Sequence, residues 1–281
     1  MDKLILHTSS LSNSDKLYFE KQFQVPLQRF SHGFEASLDG PVSRESLQTI
    51  RENHAFDVNI LPAAFDPANV KLVVSDMDST LINIECVDEI ADFAGVKTEV
   101  SRVTEAAMRG ELDFAGSLRE RVKLLAGLDA GALQRVYDER LALNPGAEQM
   151  LQCLREKRIK FALVSGGFTF FTDRLKKRLA LDFALSNVLG IENGKLTGEV
   201  LGDIVGAEAK AKFLLDKCGE LNIDPCQVIA IGDGANDLIM MSEAGLGVAY
   251  HAKPKVQREA DCAINYGGLD ALLSFVSELR S

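Results

Sequence analysis

Residues 71–81, KLVVSDMDSTL, decide how the chain folds. The apolar residues Leu72, Val73 and Val74 lead into two carboxylates, Asp76 and Asp78, followed by the hydroxyls of Ser79 and Thr80. A short β-branched run that stops at acids and turn formers reads as a buried parallel strand delivering side chains to the carboxyl edge of a sheet. Open α/β sheets bind their ligands at that edge. Two aspartates one residue apart repel each other unless a cation or a positive group lies between them, so the stretch calls for a metal.

The remainder of the chain supplies the sheet. Helical periodicity at residues 147–157, 169–179 and 207–221 alternates with strand patterns at 161–165, 228–232 and 246–250. An extended hairpin is expected over 183–205, around the turn signal Asn193-Gly194. A helix from about residue 237 and a last short strand and helix complete the pattern. Such alternation predicts an α/β fold with a Rossmann-like parallel sheet. Residues 84–144 break it with four helical patterns, at 85–94, 99–109, 113–125 and 130–143, closed by Asn144-Pro145-Gly146. A helical-bundle cap inserted after the first core strand would lie over the active edge. Residues 1–70 predict a small α+β module, with strands at 4–7, 27–38 and 56–61, helices at 15–24 and 43–53, and the proline-bearing linker PAAFDP. A sensor for regulation, a dimerisation element and a lid are all open uses of that module, which precedes a core unit over residues 71–281.

Composition sets the outer limits. The chain has 281 residues, 46% of them hydrophobic, and a formal net charge of −10. Such acidity argues against a nucleic-acid or anionic-membrane surface, so an anionic substrate needs a local cationic pocket. Leu4-Ile5-Leu6 is too short for a signal-peptide core, and no run approaches a membrane span. Five cysteines (Cys86, Cys153, Cys218, Cys226, Cys262) form no C-x-x-C pair and read as reduced thiols. A cytoplasmic protein is expected.

Three predicted strands end in polar tips: Asp76-Met77-Asp78, Ser165-Gly166-Gly167 and the run Asp233-Gly234-Ala235-Asn236-Asp237. Each alone would be ordinary capping. Together on one edge they offer a nucleophile, an oxygen site for a hard cation and donors for phosphoryl oxygens. Neither a G-x-x-x-x-G-K-[ST] loop nor a G-x-G-x-x-G turn is present, the EF-hand positions 81 and 87 hold Leu81 and Val87, and no G-x-S-x-G surrounds Ser165. His7, His32, His54 and His251 are scattered without metal-ligand spacing.

Helical phase singles out further residues. Lys210 shares a stripe with Leu214, Cys218 and Leu221, where a snorkelling lysine is the ordinary alternative to a ligand. Arg121 shares one with Phe114, Leu118, Val122 and Leu125, so it needs an anion: a structural acid or a ligand carboxylate. Glu85 lies near a helix start, where an acid usually serves the helix dipole.

The motifs DMDSTL, LVSGG, Lys210 and GDGANDLIMM, in this order, resemble the four motifs of the haloacid dehalogenase-like phosphohydrolases. The stretches NIECVDEIADFAG and AAMRGELDFAGSLRERVKLLAGL are similar to the cap of the members that act on phosphoserine. The resemblance covers about residues 70–270. It implies Mg2+-dependent hydrolysis of O-phospho-L-serine to L-serine and phosphate, the last step of serine biosynthesis, through an aspartyl-phosphate. It makes Asp76 the nucleophile and Asp78 the general acid and base. Asp76, the Asp78 backbone carbonyl and Asp233 would hold the metal. Ser165, Gly166 and Lys210 would bind the phosphoryl group, with Asn236 and Asp237 orienting substrate, lysine and metal. In the cap, Glu85 would meet the substrate ammonium, Arg121 its carboxylate, and Met108 and Phe114 would form an apolar wall. A homodimer is compatible with the resemblance. Hydrolysis of another small phosphomonoester, phosphoryl transfer to an alcohol, and a non-catalytic amino-acid-binding regulator remain the alternatives.

Overall fold

The computed structural model of the protein describes residues 1–276, the side chain of Met108 excepted. The core is a seven-stranded sheet. Its centre is β5 (Leu72–Ser75), flanked by β9 (Val228–Gly232) and β6 (Lys160–Phe168), and all three are paired in parallel. β10 (Leu246–Tyr250) and β11 (Cys262–Ile264) extend it beyond β9, and β7 (Phe183–Glu192) and β8 (Lys195–Leu201) beyond β6, giving the order β11-β10-β9-β5-β6-β7-β8. Only the β7–β8 hairpin is antiparallel.

Parallel strands covered on both faces must be apolar throughout, and these are. Val73, Leu163, Ile229 and Ile231 enter one core with α7 (Ala147–Glu156) and α8 (Thr169–Leu179). Leu72, Val74, Ala162, Val164, Val228 and Ala230 enter the other with α9 (Ala207–Leu221), α10 (Leu238–Glu243) and α11 (Pro254–Glu259). Successive side chains of one strand thus serve opposite layers.

The cap is built of α3 (Cys86–Ala94), α4 (Lys97–Met108), α5 (Phe114–Lys123) and α6 (Gly131–Glu139). The expected helix over 130–143 stops at Glu139, because the chain must straighten to re-enter the core: Leu143 bridges Ile82 antiparallel. Asn144 tightens that crossing, its side-chain amide donating to the Thr80 and Ile82 carbonyls at 2.8 and 3.1 Å. At its far end the cap is tied to the hairpin, where Leu196 donates to Leu128 O and accepts from the Gly127 amide.

Residues 3–61 carry a second sheet, of order β2-β3-β1-β4, all antiparallel, from β1 (Lys3–His7), β2 (Gln28–Phe30), β3 (Gly33–Ser37) and β4 (Asp57–Leu61). One face holds its own core, where Leu4, Leu6, Val58 and Ile60 meet α1 (Asn13–Phe23) and α2 (Arg44–Glu52). Its other face docks on the core, where Ile5 and Leu61 join the main apolar cluster and polar side chains pair with β11 and the loop after it. Asn59, 0% exposed, donates to Ala263 O and accepts from Ala263 N, both at 2.8 Å, and so acts as one more residue of sheet pairing on an edge strand. Asp57 accepts the amides of Asn265, Tyr266 and Gly267 at 2.6–3.0 Å.

His7 seals the same junction. The Ser274 hydroxyl donates to Ala271 O at 2.7 Å, so at 3.2 Å it accepts from the His7 Nε2–H, leaving Nδ1 buried and without a partner. Burial, opposed by Asp57, lowers the His7 pKa to about 4. The unfolded chain takes up this proton near 6.5, so stability is complete above that pH and falls as pH drops from 6.5 to 4, by about 3 kcal/mol. Urea unfolding at pH 7 and pH 4 is expected to show a smaller acid loss for His7→Gln than for wild type; equal losses would contradict a neutral buried His7.

Candidate active site

Topology brings the site together. β5, β6 and β9 are neighbours, so the residues just beyond Ser75, Val164 and Gly232 share one edge: Asp76, Ser165 and Asp233. Asp76 extends the ladder, its amide donating to Ile231 O at 3.0 Å. The chain then turns sharply over Met77–Leu81, with Ser79 at φ +54°. Asp78 therefore does not lie beside Asp76 along an extended strand, as the spacing suggested. Both carboxylates line the pocket because of the turn, and Asp78 points to the cap, where its Oδ1 accepts the Cys86 amide at 3.3 Å.

The acids that crowd one another are Asp76, Asp233 and Asp237, whose oxygens lie within 4.8 Å. Lys210, 0% exposed, sits among them, with Nζ 2.9 Å from Asp76 Oδ1 and 2.7 Å from Asp237 Oδ1. Snorkelling is thereby ruled out. Asp237 Oδ2 accepts the Gly234 amide at 3.0 Å, so both of its oxygens are engaged. Asp76 Oδ1 also accepts the Met77 amide at 2.7 Å, which leaves Oδ2 as the oxygen that neither donor holds. Burial disfavours the Lys210 charge, but Asp237 and then Asp76 outweigh it, and its pKa rises. Burial, then Asp237, pushes Asp76 well up, and the same two causes raise Asp233 to about 6. One lysine cannot neutralise three carboxylates. Asp237 holds the lysine with both oxygens fixed, and the excess negative charge falls on Asp76 and Asp233, where a hard divalent cation fits.

The wall of the pocket beside β6 is formed by a bulge. β6 pairs with β7 at Val164↔Leu185 and again at Phe168↔Asn187, so three residues, Ser165 to Gly167, face one. The expected strand end at Ser165 is instead a bulged continuation to Phe168, which directs Gly166 into the pocket. Ser165 Oγ accepts the Gly167 amide at 2.8 Å. A Cβ on Gly166 would lie 2.6 Å from the Phe114 ring, so only glycine lets the cap close to this distance.

From the cap, Glu85, Val87, Phe114 and Arg121 complete a cavity of about 130 Å³ with Asp76, Asp78, Gly166, Asp233 and Asn236. A larger hollow of about 430 Å³ between α2 and α11 is lined by none of the residues at the three strand tips. Arg121 makes no ion pair within 4.0 Å among the described residues; its Nε donates only to Ser117 O, at 3.4 Å. Burial lowers its pKa, against the pull of Asp88, Glu85 and Asp78. Glu85 occupies the N-cap position of α3 but caps no helix amide, and instead accepts the Ser79 hydroxyl at 2.7 Å. Asp78 is raised to about 7 by burial and then by Glu85. Of the residues singled out from sequence, only the Met108 side chain lies outside the described residues. Val87, Cys86 and Thr80, whose hydroxyl donates to Asp233 at 3.3 Å, carried no distinguishing signal, being an apolar, a thiol and a hydroxyl residue in ordinary places.

A family profile described as haloacid dehalogenase-like hydrolase matches residues 70–245. A protein of Polaromonas sp. named phosphoserine phosphatase is 55% identical over 224 residues, 78% of this chain and 95% of that one. Among solved structures, a hydrolase of the same family from Salmonella enterica superposes with a TM-score of 0.90 at 34% identity, over 99% of both chains. The unliganded form of a probable phosphoserine phosphatase from Vibrio cholerae gives 0.83 at 40% identity, over 98% of this chain and 86% of that one. Both superpositions include the N-terminal sheet that the sequence resemblance left out. An edge of three strand ends, a buried lysine among acids and a cap closing over a glycine bulge all lie within the matched span, and the chain belongs to the haloacid dehalogenase-like hydrolases.

Proposed function

We propose that the protein hydrolyses O-phospho-L-serine to L-serine and inorganic phosphate in the cytoplasm, with Mg2+ as its metal. The observation that carries the substrate is the pairing of Arg121, desolvated and without an acid partner, with Glu85 across one small cavity above the phosphoryl edge. A zwitterion needs one base and one acid lining the same cavity. The naming of the Polaromonas relative supports the same substrate, and the five free cysteines support the compartment.

Asp76 and Asp233, with the Asp78 backbone carbonyl, would hold Mg2+, which would offset phosphoryl charge and lower the repulsion between the acids. Asp76 Oδ2 attacks phosphorus, forming the aspartyl-phosphate as the bond to the seryl oxygen breaks. Asp78, whose pKa near 7 suits both directions of proton transfer, protonates the departing seryl oxygen. It then takes a proton from the water that attacks phosphorus, and the aspartyl bond breaks to release phosphate. Lys210, Ser165 and the Gly166 amide hold the non-bridging oxygens. Asn236 and Asp237 keep substrate and Lys210 in place, and Phe114, with Met108, walls the apolar side. Residues 1–70, none of which lines the pocket, would serve in regulation or assembly.

Phosphate release across a panel of phosphomonoesters tests the substrate, with phosphoserine expected to be preferred. Chelator is expected to abolish turnover and Mg2+ to restore it; activity undiminished by chelator would remove the metal from the reaction. Asp76→Asn is expected to lower turnover roughly 10³-fold or more, with near-normal activity ruling out the nucleophile. Arg121→Ala is expected to cost about 30-fold or more in kcat/KM on phosphoserine and far less on an ester without a carboxylate. Equal losses on both would make Arg121 structural.

A further inference from the structure

We infer that Asn187, on β7, is the positioning residue that fixes the two phosphoryl-binding groups, the Gly166 amide and the Lys210 ammonium, relative to each other. The inference rests on the phosphoryl subsite proposed above but not on which phosphomonoester occupies it.

Asn187 is 1% exposed and both ends of its carboxamide are used. Nδ2 donates to Gly166 O at 2.8 Å, and Oδ1 accepts the Val205 amide at 2.8 Å. The first bond is made at the bulge, where two more residues are present on β6 than on β7 and the ladder cannot hold the Gly166 carbonyl. The Asn187 side chain takes the place of the missing strand partner. The Gly166 carbonyl belongs to the peptide whose N–H, on Gly167, reaches Ser165 Oγ. Fixing that oxygen therefore fixes the peptide plane between the two glycines; its N–H holds Ser165 Oγ, and the adjoining peptide, which carries the Gly166 N–H, is hinged to it only through the Gly166 dihedrals.

The second bond is made one residue before Gly206, the N-cap of α9. Lys210 lies in the first turns of that helix, its amide donating to Gly206 O at 2.9 Å. One carboxamide thus spans the two loops that carry the phosphoryl ligands. Phe114 rests on both: Cβ atoms built on Gly166 and Gly206 would meet its ring at 2.6 and 3.4 Å. No other described side chain bonds Gly166 O and the backbone entering α9 together. A buried amide that bridges two functional loops holds geometry, and loss of such outer partners typically costs 10–100-fold in activity.

Two variants separate the bonds. Asn187→Asp keeps an acceptor for the Val205 amide but replaces the donor to Gly166 O with a repelling oxygen, whereas Asn187→Ala removes both. Steady-state kinetics of the full chain with Mg2+ are measured on phosphoserine and on p-nitrophenyl phosphate, with inhibition by inorganic phosphate and a thermal melt. Both variants are expected to lose about 10–100-fold in kcat, by a similar factor on the two esters, and to bind inorganic phosphate more weakly, while KM for phosphoserine moves less than about threefold. The kcat loss is read well below the melting temperature, so a lower Tm does not mimic it. Turnover within twofold of wild type in both variants would overturn the inference, as would a loss in Asn187→Ala alone or one confined to the Tm. If the wild type favours another ester over phosphoserine, the substrate reading fails while the Asn187 result is still read on the favoured ester.

Discussion

The site depends on one buried ammonium. Lys210 Nζ lies within 3 Å of both Asp76 and Asp237, with no solvent exposure of its own. Removing one partner from such a group leaves an uncompensated buried charge, at about 3–5 kcal/mol. The chain ends after β5 and β9 are therefore tied to α9 as well as to each other. The lock is also unequal. Asp237 has both oxygens occupied, by Lys210 and by Gly234, whereas Asp76 keeps one oxygen directed at the pocket. An acid held by one oxygen, with the other left free of protein donors, has the orientation that the proposed attack needs.

Electrostatics then divide the labour between two aspartates two residues apart. Asp76 sits among acids and suits a cation. Asp78, turned away by the tight turn at Met77–Leu81, sits against the cap beside Cys86 and Glu85, where burial raises it to about 7. The cap thus does more than exclude water. It supplies the burial that raises the Asp78 carboxyl to about 7, as the proton transfer proposed for it requires, and it presents Arg121 without an ion-paired anion among the described residues. The N-terminal module meets the core through Asp57 and Asn59, whose side chains complete the backbone pairing of β11 and the loop after it. Its contact is with the sheet edge opposite the β7–β8 hairpin, away from the pocket.

Much of the core was legible because buried parallel strands leave continuous apolar runs, and LVVS and VIAIG stand out between polar tips. Cap helices were legible from 3.6-residue stripes, including the placement of Arg121 beside Phe114. Three features were not. The fourth cap helix ends at Glu139 because Leu143 must pair with Ile82, a partner about sixty residues away. The bulge at Ser165-Gly166-Gly167 arises from a register difference between two strands, and register belongs to a pair. The double burial of DVNIL in β4 comes from docking on β11, whereas its own residues predict only a strand.

By itself the sequence determined the chemical inventory: two acids after the first core strand, a serine and glycines after the second, DGAND after a third, and a lysine on the inward stripe of a helix. Side-chain chemistry and local periodicity are properties of neighbours along the chain, so they survive in one dimension. The tertiary structure decided which acids share charge, which oxygen of Asp76 stays free, that Asp78 leaves the acid cluster, and that Arg121 has no partner. Those outcomes turn on distances of a few ångströms between residues far apart in the chain, and at such distances in a desolvated site both hydrogen bonding and charge interactions change steeply.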